Sequence, residues 1–385
     1  MNIGILKERK KDERRVALRP DQAHVLIRLG HRVFVERGAG SSAGFPDSHY
    51  APSIVVDREE LYDECTLLLK VKSPEPHEYH MLRDKHVLFC YLHFDENLPP
   101  SNIRQIIQTG VTGIAYEWVE KDGQFPLLQP MSELSGSLYA LKAMSFLMEH
   151  KGIIGATYSN VKKSPIAAVI GIGNIGRNAV AAFIRNGFDL VIVDKHPETL
   201  DKRICLRISP GEWQNTKARA RIIPMDEGNP DNCINELRKY LPQVDILICA
   251  AVRRTTFPKT KCEYLIDRSS VTLMQPRSVI CDATACDQDL IETAVSSASL
   301  TEYYFEGGIL HYNCDHIPSL ACQTATQLLT DATFPYILEL ASGFSSAVQA
   351  DKALYRGVMC YRGTLTHEYS AAKKSLSWQR LVNLL

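Results

Sequence analysis

Three glycines, at 171, 173 and 176 in the run PIAAVIGIGNIG, have the spacing Gly-x-Gly-x-x-Gly. They sit between an apolar run and the helical pattern NIGRNAVAAFIRNG, and DLVIVD follows, ending in Asp194. A strand, a glycine turn, a helix and a second strand closed by an acid is the setting in which this spacing holds a dinucleotide. Gly171 permits the sharp turn, Gly173 leaves room for a pyrophosphate, and Gly176 lets helix and strand approach. The helix start at Asn174 and Ile175 offers unpaired N–H groups and a partial positive charge to the phosphates. Asp194 is placed to accept both ribose hydroxyls and to repel a 2′-phosphate, so NAD is expected over NADP. Lys195 and His196 are cations that could tolerate such a phosphate. The ordinary alternative is a tight turn in a sheet without a ligand, and the complete βαβ context argues against it.

A nicotinamide enzyme also needs a cationic clamp for a carboxylate substrate and a proton shuttle. Four residues near the ends of apolar runs are candidates. Arg15 follows the first strand, with Arg14 an equal competitor by composition; Lys72 closes LLLKVK, with Lys70 close by; His93 ends VLFCYLH; Asp287 lies in CDATACDQ. Each has a plainer reading: a solvated arginine in a charged segment, a surface lysine, a structural histidine, and a cap for a helix starting at Asp289.

The elements that must position these residues alternate between short apolar strands and helical patterns, which implies parallel sheets wrapped by helices. MNIGILKE, HRVFVE, TLLLKVK, HVLFCYLHF and VTGIAYEWV read as strands of an N-terminal unit, and RPDQAHVLIRLG as its first helix. A long helix runs from about 134 to 150. After the glycine turn, VDILICAA, SVICDATA and GILHYNC read as further strands. Residues 209–231 are polar and read as an exposed, irregular connection. TATQLLTDATFPYILELASG reads as a helix broken or restarted near Pro335. The fold expected is α/β with two Rossmann-like domains. An NAD-binding domain over 135–318 is inserted between the two parts of a substrate domain, 1–134 and 319–385.

Composition bounds the partners. The chain has 385 residues, 45% hydrophobic and 23% charged, with formal net charge zero. That gives no basic field for nucleic acid or acidic lipid. No apolar run approaches the roughly 20 residues of a membrane span, and MNIGILKERKKDERR does not read as a secretory leader. Eleven cysteines without a CxxC pair read as free thiols in a reducing compartment, with no metal site. A cytoplasmic protein is expected.

Taken in order, IGILKERKKDERRVALRP, ERGAGSSAGFPDSHY, LLLKVKSP, LHF, PLLQPMSELSG, CDQ, DATFPYILELA and GTLTHEY resemble the alanine dehydrogenase family and its relative, the transhydrogenase alpha subunit. The resemblance implies reversible, NAD-dependent oxidative deamination of a small L-amino acid to its 2-oxo acid by a homo-oligomer. It implies that Arg15 and Lys72 grip the carboxylate and carbonyl oxygen, that His93 is the general acid/base, and that Asp287 assists. Met131 would line the crevice toward the substrate, and Ser132, Ala251 and Val252 toward the cofactor. Three segments depart from the family pattern, the first being the family's glycine-rich loop before the nucleotide fold, which reads HKGIIGATYSNVKKS here with only Gly152 and Gly155. The family's Asn-Met-Pro reads His316, Ile317, Pro318 here, and a glycine pair after Gln288 is Asp289, Leu290. His316 is therefore either a titrating group in contact with substrate and cofactor or a structural replacement for the asparagine. DHIPSL is similar to saccharopine dehydrogenases and other opine-type enzymes, in which the nitrogen comes from an amino acid, so a condensing reductase is the second reading. A non-catalytic NAD-binding module is the third.

Overall fold

The computed structural model describes residues 1–96, 98–158, 161–253, 257–284 and 286–385. The chain forms two compact units: Met1–Met131 with Ser319–Leu385, and Ser132–Pro318.

The first unit begins with six strands: β1 Asn2–Ile5, β2 Arg32–Glu36, β3 Ile54–Val56, β4 Leu67–Lys72, β5 Val87–Tyr91 and β6 Thr112–Ala115. Among the described residues the second unit holds seven: β7 Ile166–Ile170, β8 Asp189–Asp194, β9 Arg221–Pro224, β10 Ile246–Cys249, β11 Val279–Asp282, β12 Tyr304–Glu306 and β13 Ile309–His311. The chain then returns to the first unit with the hairpin β14 Val358–Tyr361 and β15 Thr364–Leu365. The sheet of the first unit has the order β15-β14-β6-β5-β4-β1-β2-β3, parallel from β6 to β3. The hairpin joins β6 antiparallel, Val358 facing Ile114. The order in the second unit is β12-β13-β11-β10-β7-β8-β9, parallel except for β12 at one edge. Both are mainly parallel α/β sheets, as expected; the antiparallel β12 and the β14–β15 hairpin go beyond the parallel reading.

Strand burial explains the apolar runs. Ala167 and Val169 of β7 pack into one core cluster, and Ala168 and Ile170 into another on the opposite face. A parallel strand covered on both faces has no polar side to show. Helix α1, Pro20–Arg28, has proline in its first turn and buries Ala23 and Leu26. Among the described residues no helix is long and apolar enough to cross a membrane. All eleven cysteines are free thiols.

Three local expectations need correction. Residues 209–231 are not irregular: helix Pro210–Lys217, β9 and the start of helix Pro230–Arg238 occupy them. Ser209 Oγ accepts the Glu212 amide while Glu212 accepts the Ser209 amide, and Trp213 is fully buried. That reciprocal cap was legible as Ser-x-x-Glu. Helix Cys322–Ala341 runs unbroken through Pro335. Pro335 and Asp331, one turn before it, are both exposed, so water can satisfy the carbonyl that proline leaves without a donor. Finally, β6 stops at Ala115 and a 3₁₀ turn, Tyr116–Trp118, follows, because Glu117 turns inward to a partner described below.

Candidate active site

In the second unit the glycine turn has the geometry a pyrophosphate requires. Gly171 has φ +84°, and a Cβ there would lie 2.8 Å from Ala251 Cβ. A Cβ on Gly176 would stand 1.9 Å from the Gly171 carbonyl oxygen. Around a Cβ on Gly173, by contrast, nothing lies within 4 Å. Gly173 caps the helix Asn174–Arg185, so open space stands over a helix N-terminus. The turn therefore fits the diphosphate of NAD on its own sterics. Gly176→Ala would drive the turn off this geometry, and NADH affinity should fall by about a hundredfold; an unchanged titration would count against the assignment.

A cavity of about 480 Å³ opens beside the turn, lined among others by Gly171, Gly173, Asp194, Ala251 and Val252. Asp194 closes β8 and is buried. Its Oδ2 accepts the Ile172 amide at 2.7 Å and its Oδ1 the His196 amide at 2.7 Å. Arg203 donates to both oxygens, at 3.1 and 2.6 Å. Burial alone would raise the Asp194 carboxyl; Arg203 and the two amides hold it below its ordinary value.

Ser132 is half-buried near the start of the long helix Gln129–Lys151. Asp287 and His316 do not line the cavity. Asp287 is exposed on a turn, not at a helix cap, and accepts the Ser296 amide at 2.7 Å. His316 is fully buried, its Nδ1 2.8 Å from Asp315 Oδ1 and 3.4 Å from Cys314 Sγ.

The first unit gathers the other candidates. Arg15 is buried, whereas Arg14 is exposed. Arg15 Nε and Nη2 donate to the two oxygens of Glu13 at 2.8 and 2.6 Å, and its Nη1 lies 3.3 Å from Met131 Sδ. Glu13 also accepts the Ser319 hydroxyl. Burial would raise Glu13, yet Arg15, Ser319 and Lys72 pull it down to about 2. Lys72 Nζ lies 3.0 Å from His93 Nε2. Tyr91 stacks on His93 with ring centroids 5.6 Å apart, and the Arg15 charge acts on Tyr91. Arg15 and Met131 are thus linked to Lys72 and His93 through Glu13 and Tyr91.

His93 is held in an unusual way. It follows β5 with φ +53°, a left-handed conformation that a non-glycine residue adopts only when its surroundings enforce it. Its amide donates to Glu117 Oε1 at 2.6 Å. Its Nδ1 lies 2.9 Å from Glu96 Oε2, a charge contact without the alignment of a hydrogen bond. A lysine ammonium can only donate, so the Lys72 contact makes Nε2 the acceptor and leaves the ring proton on Nδ1. Glu117 Oε2 is buried without a partner, and burial pushes this carboxyl up to about 7 against the pull of His93.

Behind Lys72 lies a buried ionic layer. Glu8 accepts the amides of Val71 at 2.7 Å and Lys72 at 3.3 Å, and lies 3.7 Å from Lys70 Nζ. Lys70 also contacts Glu78 at 3.2 Å, and Arg58 joins Glu78 at 2.6 Å to Glu36 at 3.0 Å. Neither lysine of β4 is a surface residue, and the pairing of β4 with β5 is irregular between Leu69 and Lys72. Glu13, Glu117 and Arg203 were not singled out from the sequence. Glu13 carried the one available signal, an acid two residues before Arg15.

A dinucleotide turn with an acid at the ribose position in the second unit, and a buried arginine and a lysine–histidine pair in the first, define an NAD-dependent oxidoreductase. The family model for the alanine dehydrogenase/PNT N-terminal domain matches residues 4–135, and that for the C-terminal domain residues 140–368. The chain belongs to the alanine dehydrogenase/PNT family. It is 33% identical to an alanine dehydrogenase of Bacillus subtilis (strain 168) over 376 residues, covering 96% of this chain and 93% of the relative. Among solved structures, an L-alanine dehydrogenase superposes with a TM-score of 0.81 at 29% identity, covering 97% of this chain and 99% of that one. A transhydrogenase from Sinorhizobium meliloti, with a TM-score of 0.73 and 20% identity over 96% and 99% of the two chains, shares the fold.

Proposed function

We propose that the protein catalyses the reversible, NAD-dependent oxidative deamination of a small L-amino acid, alanine first among them, to its 2-oxo acid. The observation that carries this reading is the fixed Arg15. Glu13 occupies its Nε and Nη2, and the group beside Nη1 is the weakly accepting thioether of Met131, so that edge can take a substrate carboxylate.

Bound NAD supplies the hydride acceptor for the substrate α-carbon. This chain's residues do the rest. Arg15 orients the amino acid through its carboxylate. Loss of the α-hydride leaves an imine on the substrate, and water adds to its carbon. The proton of that water goes to His93 Nε2, which Lys72 must release. Lys72 turns its ammonium to the developing oxygen; His93 returns its proton to the nitrogen and then takes that of the hydroxyl, so that the oxygen becomes the carbonyl as the C–N bond breaks and ammonia leaves. The Nδ1 proton facing Glu96 keeps the ring in the tautomer that presents Nε2 as the base. In this reading Asp287 assists the addition, while Ser132, Ala251 and Val252 serve the cofactor side, and the buried His316 is the structural replacement for the family's asparagine. The enzyme is taken as a cytosolic homo-oligomer; the exposed Leu141, Met148 and Phe305 of the second unit are apolar surface that a second copy would cover.

The test is the loss of NADH absorbance with pyruvate, with ammonium or a panel of amino acids added. Oxidation with ammonium alone is expected. Oxidation only with an amino acid such as lysine or ornithine would replace this reading with a condensing reductase.

A further inference from the structure

The carboxylate that reads the adenosine ribose is already saturated. A carboxylate offers about four acceptor positions. At Asp194 two go to the fixed amides of Ile172 and His196, and two to the guanidinium of Arg203. The amides belong to the backbone of the turn and of the strand end and cannot leave. Ribose hydroxyls can reach Asp194 only by taking the places that Arg203 holds.

Arg203 remains at the site when this happens. The same two nitrogens donate to the carbonyl oxygens of Ile172 and His196, each at 2.7 Å. Asp194, Lys195, His196, Arg203 and Glu227 all line the one cavity. Lys195 Nζ lies 3.1 Å from Glu227, and His196 Nδ1 3.4 Å from Glu198. The two carboxylates lining the cavity are thus matched by two permanent cations. An acid at a strand end ordinarily selects NAD by repelling a 2′-phosphate, and an arginine nearby ordinarily admits it. Here both stand on the same spot, bound to each other.

We propose that Arg203 is a specificity-determining residue that makes the site accept NADP(H) as well as NAD(H), its guanidinium passing from Asp194 to the 2′-phosphate when one is present. With NADH, the ribose hydroxyls take over from Arg203 on Asp194. With NADPH, the planar fork of Arg203 meets phosphate oxygens two at a time, and the backbone amides keep the Asp194 charge compensated. The proposal rests on the reading of this cavity as the dinucleotide site.

The experiment is calorimetric titration of the full-length protein with NADH and with NADPH, independent of turnover. The parent protein should bind both, with affinities within about tenfold of each other. Arg203→Leu should weaken NADPH by a factor on the order of ten to a hundred, the range of one or two charge-assisted hydrogen bonds, and leave NADH unchanged or tighter. Arg203→Lys should recover part of the NADPH affinity. Asp194→Asn, with Arg203 intact, should weaken NADH and tighten NADPH, which keeps the test open if Arg203→Leu folds poorly. A parent protein that takes up NADH but no NADPH would overturn the proposal. So would an Arg203→Leu change that moves both affinities equally. If neither dinucleotide binds, the cofactor reading itself fails and the proposal with it. Binding of both without turnover of pyruvate would leave the proposal standing and remove only the substrate.

Discussion

Replacing His93 should lower kcat for the amination of pyruvate by about two to four orders of magnitude, the usual contribution of a positioned acid or base. NADH affinity should stay where it is, because the glycine turn and Asp194 belong to the other unit. The choice of variant matters. His93 stands at φ +53°, so alanine adds backbone strain to the loss of the imidazole. Asparagine tolerates the left-handed conformation far better and cannot accept a proton at working pH. His93→Asn and His93→Ala should therefore lose turnover alike, while His93→Asn melts closer to the parent. Steady-state kinetics and a melting curve on each separate the two effects. If His93→Asn turned over like the parent, the proton-transfer role would belong to another group.

The second large effect lies at Glu13. Glu13→Gln keeps the shape of the side chain but removes the counter-ion of a buried arginine, whose exposure is 3%. Breaking a buried pair by removing one partner costs about 3–5 kcal/mol, and unfolding in urea should show it. The oxo-acid KM should rise as well, because the Arg15 fork is no longer held on two sides. The effect has a signed pH dependence. The Glu13 carboxyl is lowered from 4.5 to about 2. A depressed carboxyl contributes its stabilisation in full above the unfolded value and loses it as pH falls through the folded one. The gap between parent and variant should thus be widest above pH 4.5 and close toward pH 2. A gap that stayed constant with pH would mean that glutamine disturbs packing rather than charge.

The contrast between these residues shows what a sequence can carry. The glycine turn is a local object: its strand, helix and second strand are contiguous, and each glycine has a steric reason visible in the spacing. Arg15, Lys72 and His93 could be reached as strand-end residues, and the family pattern assigned their roles. Glu117 was not legible, because it holds His93 across β5 and β6 after a turn inside an apolar run. Arg203 was not legible either. Its partner Asp194 lies on a preceding strand, and nothing in LDKRIC distinguishes an arginine folded back onto that strand from a solvated one. Spacing records contacts made within an element; it does not record side chains that reach across elements. The missed helix at 210–217 is of another kind, since its cap was present in the sequence.

The hairpin of β14 and β15 sets an order of events during synthesis. The partner it needs, β6, leaves the ribosome roughly 240 residues before Val358 does. At ordinary translation rates of about 5–20 residues per second, that is a wait on the order of 10 to 50 seconds. Throughout it, the amides and carbonyls on the far side of β6 face solvent or whatever chain passes by. The inserted unit has no such debt to later sequence and can complete itself while the earlier one stays open. Nascent chains arrested before residue 358 should thus carry a protease-resistant middle flanked by a vulnerable beginning, and this stage is where crowding polysomes or a missing chaperone would do the most harm.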